Sequence, residues 1–126
     1  MHELTERFTD ALHQLHAERD VDPMVALFTD DAELNKLDDR HDAHGQEGAR
    51  TFWTDYRDVF DSIEATFTHV VEGEDSVALE WTSTGSLAGG EPFSYRGVSV
   101  LQAAGDRLSG FRTYYDTAAF TVAAKG

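Results

Sequence analysis

Few residues in this chain can do chemistry, and one carboxylate stands out. Asp116 closes a run, Arg107–Asp116, in which Arg112, Tyr114 and Asp116 alternate with Phe111, Thr113 and Tyr115. A strand sends two such sets to opposite faces. In an apolar enclosure a carboxylate resists ionisation and becomes a usable base near neutrality. The plainer reading has Asp116 bonding a backbone N–H at the strand end, or pairing with Arg112. Lys36 is the second candidate, because the chain holds only two lysines, Lys36 and Lys125, against eight arginines. An ammonium can hold a neighbouring carboxylate in its charged form or bind an enolate. Desolvated, it can form a Schiff base. Its plainer role is a lysine snorkelling from a strand end.

His41 and His44 lie three apart in an acidic loop with Asp38, Asp39 and Asp42. Such donors can ligate a metal. No third ligand follows at helical or strand spacing, so a solvated loop is expected, with no metal and no cofactor. His69 sits on an alternating apolar face and reads as a core histidine. Arg96 is either an anion anchor or the partner of a surface acid. Without cysteine, disulfides and thiolate catalysis are excluded.

These groups need elements to hold them. Leu4, Phe8, Leu12 and Leu15 form one stripe at helical spacing, which predicts a helix over Glu3–Ala17. Asp22 suits an N-cap and Pro23 a first helical position, with Met24, Leu27 and Phe28 buried beneath. Ala32–Leu37 reads as a strand. A third helix, Gln46–Asp61, carries Ala49, Phe52, Trp53, Tyr56, Val59 and Phe60 at three-and-four spacing. Phe52, Trp53 and Phe60 read as core, and Tyr56 as a hydrogen bonder at the lid side.

Near Ile63 the period changes to two. Ala65, Phe67, His69 and Val71 share one face, and Val77, Leu79, Trp81 and Ser83 share another. Strands over Phe93–Ala103 and Arg107–Asp116 follow, with turns at Glu72–Asp75, Gly89-Gly90 and Gly105-Asp106. Sequential strands on short turns pair antiparallel. Helices first and strands after give one α+β domain over residues 1–126, with helices on one face of a curved sheet. A strongly bent sheet closed by helices encloses a pocket.

This order resembles the nuclear-transport-factor-2-like superfamily, and within it the SnoaL-like, polyketide cyclase-like group. The resembling stretches are Asp22-Pro23-Met24-Val25-Ala26-Leu27-Phe28-Thr29-Asp30-Asp31-Ala32, then His44-Gly45-Gln46-Glu47-Gly48-Ala49, then Gly110-Phe111-Arg112-Thr113-Tyr114-Tyr115-Asp116. The resemblance implies a cone-shaped fold with an internal cavity, and activities of several kinds. Ketosteroid isomerases of the superfamily need a tyrosine where Leu12 stands, an aspartate where Lys36 stands and a second acid near Val98. Limonene-epoxide hydrolases need an Asp-Arg-Asp set, of which Asp116 is matched but Trp81 and Ser83 replace the others. Their water-holding Tyr and Asn fall on Leu34 and Lys36. SnoaL-like cyclases rest chiefly on one acid/base aspartate in the last strand, and Asp116 matches it.

The resemblance thus implies catalysis by Asp116 assisted by Lys36. It implies a pocket lined by Trp81, Ser83, Tyr114, Arg112, Arg96, Leu34, Val98 and Tyr56. Three functions follow: acid/base chemistry on a hydrophobic carbonyl compound, binding of a small hydrophobic ligand without turnover, or a dimeric interaction module. A homodimer is expected through the outer sheet face, with Phe93, Tyr95, Phe111 and Tyr115 as its contact.

Composition narrows the rest. Twenty-four acidic side chains face ten basic ones, for a formal net charge of −14. Such a surface repels phosphate backbones, so nucleic acid is not an expected partner. No apolar run approaches the roughly 18 residues of a membrane span. The N-terminus is polar and periodic, unlike a secretory signal, and the expected compartment is the cytoplasm. Acid excess with scarce lysine resembles salt-in halophile proteins; an acidic protein from a GC-rich organism is the alternative.

The halophilic reading makes a prediction. Raising potassium chloride from 0.1 M to 1 M shortens the Debye length from about 10 Å to about 3 Å and relieves like-charge repulsion. The melting temperature should climb across that range. A flat profile in potassium chloride leaves only the acidic-mesophile reading.

Overall fold

The computed structural model describes residues 2–36 and 43–117; His41 and the aspartates beside it lie outside these. Helix α1 spans His2–Glu18 and buries Leu4, Phe8, Ala11, Leu12 and Leu15 along the expected stripe. Arg19 ends it with a left-handed backbone, φ 60°. Its guanidinium donates to the carbonyls of Phe60 at 3.1 Å and Arg57 at 3.3 Å. Near the other end, Arg7 donates to the Asp106 carbonyl at 3.0 Å. α1 is thereby tied at both ends.

The second helix, α2, is one turn, Asp22–Val25. Val21 takes the cap position and offers no side-chain cap bond, while Asp20 Oδ1 accepts from the Asp22 backbone N–H at 3.0 Å. Asp22, expected to cap, instead accepts from Arg50 at 2.8 Å. Phe28 is not the end of this helix but the first residue of β1, Phe28–Lys36. The strand starts early because Phe28, Ala32 and Leu34 are wanted in the core; all three are fully buried.

A two-residue strand, β2 (Ala43–His44), leads into α3, Gly45–Val59. Gly45 has φ +71°, and a Cβ there would lie 2.7 Å from the Asp30 carbonyl oxygen. Only glycine lets the chain turn that closely against β1. Strand β3 (Phe60–Glu72) follows without a loop, then β4 (Ser76–Leu87), β5 (Pro92–Ala104) and β6 (Arg107–Tyr115).

The six strands form one curved, open α+β sheet in the order β2-β1-β6-β5-β4-β3. Neighbours are antiparallel except β1 and β6, which run parallel. The larger core lies between the helices and the sheet around Phe8, Phe28, Trp53, Leu79 and Phe111. A second cluster joins Phe60, Ile63, Trp81, Phe93 and Tyr95.

Two face assignments differ from expectation. A register shift between Phe67 and His69 inserts a bulge in β3. A bulge reverses which side later residues face. His69, paired with Glu80, is therefore exposed rather than a core histidine. In β5 and β6, Phe93, Tyr95 and Phe111 are buried, and Tyr95, Phe111 and Tyr115 face the interior. The four rings expected to cover a dimer face are inside the molecule, so the stated basis for a dimer falls.

Gly97 shows how tightly the sheet interior is built. It pairs with Trp81 on one side and Tyr115 on the other. A Cβ there would strike the Tyr114 carbonyl and lie 2.7 Å from the Trp81 indole. Gly97→Ala should cost about 2 kcal/mol of stability, in the range of overpacking mutations, read as a lower urea midpoint. An unchanged midpoint would mean the indole is free to move aside.

Candidate functional site

Between the curved sheet and helices α1 and α3 lies a cavity of about 820 Å³. α1 contributes Phe8 and Leu12. α3 contributes Thr51, Phe52, Trp53, Asp55, Tyr56 and Val59. The sheet adds Ala65 and Phe67 from β3, Trp81 and Ser83 from β4, Tyr95 and Ser99 from β5, and Phe111, Thr113 and Tyr115 from β6. Lys36, Ala43 and His44 complete it from β1 and β2. Lys36, His44, Thr51 and Asp55 are exposed and mark the opening. The Glu33 carboxylate lies 3.8 Å from the His44 imidazole.

Deeper in, polar atoms come in an ordered set. The Trp81 indole N–H donates to Ser99 Oγ at 2.9 Å, and Ser99 shares a second hydrogen bond with Thr113 Oγ1 at 3.0 Å. Cross-strand register explains the chain, since Ser99 pairs with Thr113 and sits diagonally from Trp81. Ser83 is buried, and its hydroxyl makes no hydrogen bond among the described residues. Trp81 and Tyr95 meet edge to face at 5.0 Å, and Tyr95 meets Tyr115 at 5.7 Å. Burial, then the neighbouring Tyr115, pushes the Tyr95 phenol well above its ordinary range.

Four of the ten expected site residues line this cavity: Lys36, Trp81, Ser83 and Tyr56. Six do not. Leu34 is fully buried in the core. Arg96 and Val98 alternate with Tyr95, Gly97 and Ser99 and so take the outer face of β5. Arg112 and Tyr114 take the outer face of β6, with Tyr114 49% exposed. Asp116 lies beyond the end of β6, exposed, its backbone N–H donating to the Arg96 carbonyl at 3.1 Å. The physical reason is parity: β6 turns its apolar set, Phe111, Thr113 and Tyr115, inward. The geometry brings Lys36 to the cavity without Asp116. Of the two loop histidines, His44 lines the opening and His41 lies outside the described residues; no metal-holding cluster occurs among the described residues.

Sequence reasoning also missed His16. It follows Leu12 by one helical turn and so borders the buried stripe, a signal present in the spacing. His16 Nε2 lies 2.6 Å from Tyr56 Oη, joining α1 to α3. Its Nδ1 is buried with no hydrogen-bond partner among the described residues. Burial, helped by His13, pulls the imidazole down to about 4. Tyr56 is pushed well above its ordinary range, first by burial and then by Tyr95, and stays a neutral phenol. Trp53 carries a buried N–H with no hydrogen-bond partner among the described residues. Its ring packs against those of Phe8, Phe52, Tyr56 and Phe111.

The sequence matches the family model of the SnoaL-like domain over residues 5–111. The chain belongs to the SnoaL-like family. Solved structures similar to this SnoaL-like domain share its fold at low identity. An NTF2-like protein from Anabaena variabilis is 19% identical, with 90% of this chain and 87% of that chain covered and a TM-score of 0.82. A Jannaschia sp. CCS1 protein, provisionally named a SnoaL-like polyketide cyclase, is 17% identical over 94% and 91%, with a TM-score of 0.77. TerC, co-crystallised with polyporic acid, is 14% identical over 98% of each chain, with a TM-score of 0.80. Comparison with curated proteins gives no match.

The buried imidazole makes a pH prediction. His16 is depressed from 6.5 to about 4, so between those values the unfolded chain takes up a proton that the folded domain refuses. This contribution to stability is whole above about pH 6.5 and is lost as pH falls toward 4. His16→Gln removes the titration. Urea midpoints from pH 7.5 to 4.5 should therefore fall more steeply in the native protein than in the variant. Parallel curves would show that the imidazole is hydrated in the fold.

Proposed function

We propose that this SnoaL-like domain binds a flat, mostly apolar carbonyl compound inside its cone. The supporting observation is the cavity itself, about 820 Å³ walled by Phe8, Phe52, Phe67, Trp81, Tyr95 and Phe111, with hydroxyls set among the rings. That volume lies within the range of small-molecule sites, which pair apolar walls with few polar groups. Aromatic faces take up flat ligands, and Ser83 and Tyr56 offer hydrogen bonds that an apolar molecule cannot use. TerC, a neighbour in fold, was crystallised with polyporic acid, which accords with this class.

Acid/base catalysis is a second reading, favoured by the titratable groups at the opening. Lys36, His44 and Asp55 line it and are placed to exchange protons with a bound ketone. This version moves proton transfer away from Asp116 and toward Asp55, with Lys36 stabilising an enolate. The Jannaschia protein's provisional name accords with such chemistry.

Each reading has its own experiment. Titrating the protein with 9-fluorenone-2-carboxylate should quench tryptophan fluorescence in a saturable manner. Trp81→Leu should weaken binding at least about tenfold, roughly 1.4 kcal/mol, with Trp53 left as the reporter. Asp116→Asn should bind as the native protein does. No saturation below millimolar concentration would end the binding reading. In D2O, catalysed exchange of the α-protons of 2-tetralone should fall about a hundredfold or more in Asp55→Asn. Exchange no faster than in buffer would end the catalytic one.

A further inference from the structure

Tyr56 sits where α3 faces α1, and it belongs to both the cavity wall and a buried polar pair. Its hydroxyl has one partner among the described residues, His16 Nε2 at 2.6 Å. A neutral imidazole carries one N–H, and it can reside on either nitrogen. If it sat on Nδ1, a buried donor would have no acceptor, because Nδ1 has no partner among the described residues. If it sits on Nε2, Tyr56 Oη accepts it, and what remains at Nδ1 is a bare lone pair. Orphaned buried N–H groups are the rarer of the two defects. Burial keeps His16 neutral and Tyr56 protonated at physiological pH, so both groups hold the protons this arrangement needs.

With Nε2–H donating to Oη, the phenol proton of Tyr56 is left uncommitted beside the cavity. Elsewhere in the lining, the Ser99 and Thr113 hydroxyls are already engaged in the Trp81–Ser99–Thr113 chain. We propose that Tyr56, oriented by a hydrogen bond from His16, donates its hydroxyl proton to a carbonyl or enolate oxygen of the bound molecule. Tyr56 is then a ligand-binding residue and His16 a positioning residue acting through it. The pair selects a ligand with an acceptor oxygen at the helix wall. A hydroxyl oriented in advance by a second group gives up less freedom on binding than a free rotor.

The assignment rests on the ligand class proposed above, and a matched pair of probes keeps the two apart. 9-Fluorenone-2-carboxylate and fluorene-2-carboxylate share shape and charge and differ at the ketone oxygen. The native protein should bind the ketone about fivefold more tightly. Tyr56→Phe should abolish that preference, costing the ketone more affinity than the fluorene. His16→Leu should reduce the preference, and His16→Gln, whose amide can donate to the same oxygen, should restore it. In the native protein the infrared C=O band of bound fluorenone should move to lower wavenumber than in cyclohexane, and move back in Tyr56→Phe and His16→Leu. The native spectrum needs no variant to fold. If neither compound binds, the ligand class falls and this assignment with it. If both bind equally and the carbonyl band is unshifted, the ligand class stands and the assignment is overturned. If Tyr56→Phe acts as described but His16→Leu matches the native protein in preference and band position, the positioning role of His16 is overturned.

Discussion

The cone depends on the parallel pairing of β1 with β6. Lys36 lies opposite Thr113 and Leu34 opposite Phe111, so the strand between the helices meets the last strand of the described fold. Every other strand contact can form between chain neighbours. This one must close a loop containing α3 and four strands, and its entropy cost grows slowly with that length. What offsets the cost is apolar burial. Phe28, Leu34, Leu108 and Phe111 all lie in the larger core, with α3 packed across them. The Leu108 backbone N–H donating to the Leu27 carbonyl at 2.7 Å fixes the start of the pairing. Without this seam the helices would have no sheet beneath them, and the cavity would have no wall on the Lys36 side.

The interior resolves a conflict between hollowness and polarity. Empty space in a protein forfeits dispersion contacts, and an apolar void tends to stay dry. Here the lining is aromatic, but several polar atoms along the sheet are bonded to one another. Trp81 donates to Ser99, Ser99 binds Thr113, and the Tyr95 and Tyr115 rings stack edge to face. Among the described residues, bonding capacity is left at Ser83 Oγ and on one side of the Tyr56 hydroxyl at the wall, and at His16 Nδ1 and Trp53 Nε1 behind it. The wall is thus mostly aromatic, with its polar atoms gathered into short hydrogen-bonded chains.

Element types and order were legible in the sequence, because periodicity of 3.6 and of 2 each leave a clear trace. The change near Ile63 marked the transition from α3 to β3 within a few residues. What was less legible was parity. β6 has aromatic residues on both faces, Phe111 and Tyr115 on one and Tyr114 on the other. Burial alone favours the face without Arg112, and the structure follows burial. Expecting an acid in the cavity pointed to the opposite face and carried Arg112, Tyr114 and Asp116 with it. Leu34 and Val98 failed similarly, as positions inherited from relatives rather than read from their own surroundings. The bulge after Phe67 has no strong local signature, so His69 could not be placed from alternation. His16 was legible but overlooked, since a histidine one turn from Leu12 and beside Leu15 must border the core.

The two ends of α1 carry a consequence for access. Arg7 holds one end to the β5–β6 turn, and Arg19 holds the other to the α3–β3 junction through two carbonyls. His16 adds a third tie inside the span. A helix fastened this way is a fixed strap, not a flap. Lifting it would expose Phe8, Leu12 and Leu15 together and break bonds at sites far apart in the fold. Among the described residues, the exposed part of the lining is Lys36, His44, Thr51 and Asp55, a rim that carries charge while the interior is apolar. A molecule entering past that rim would have to displace its hydration, and α1 contributes rigidity to the cavity instead of a door.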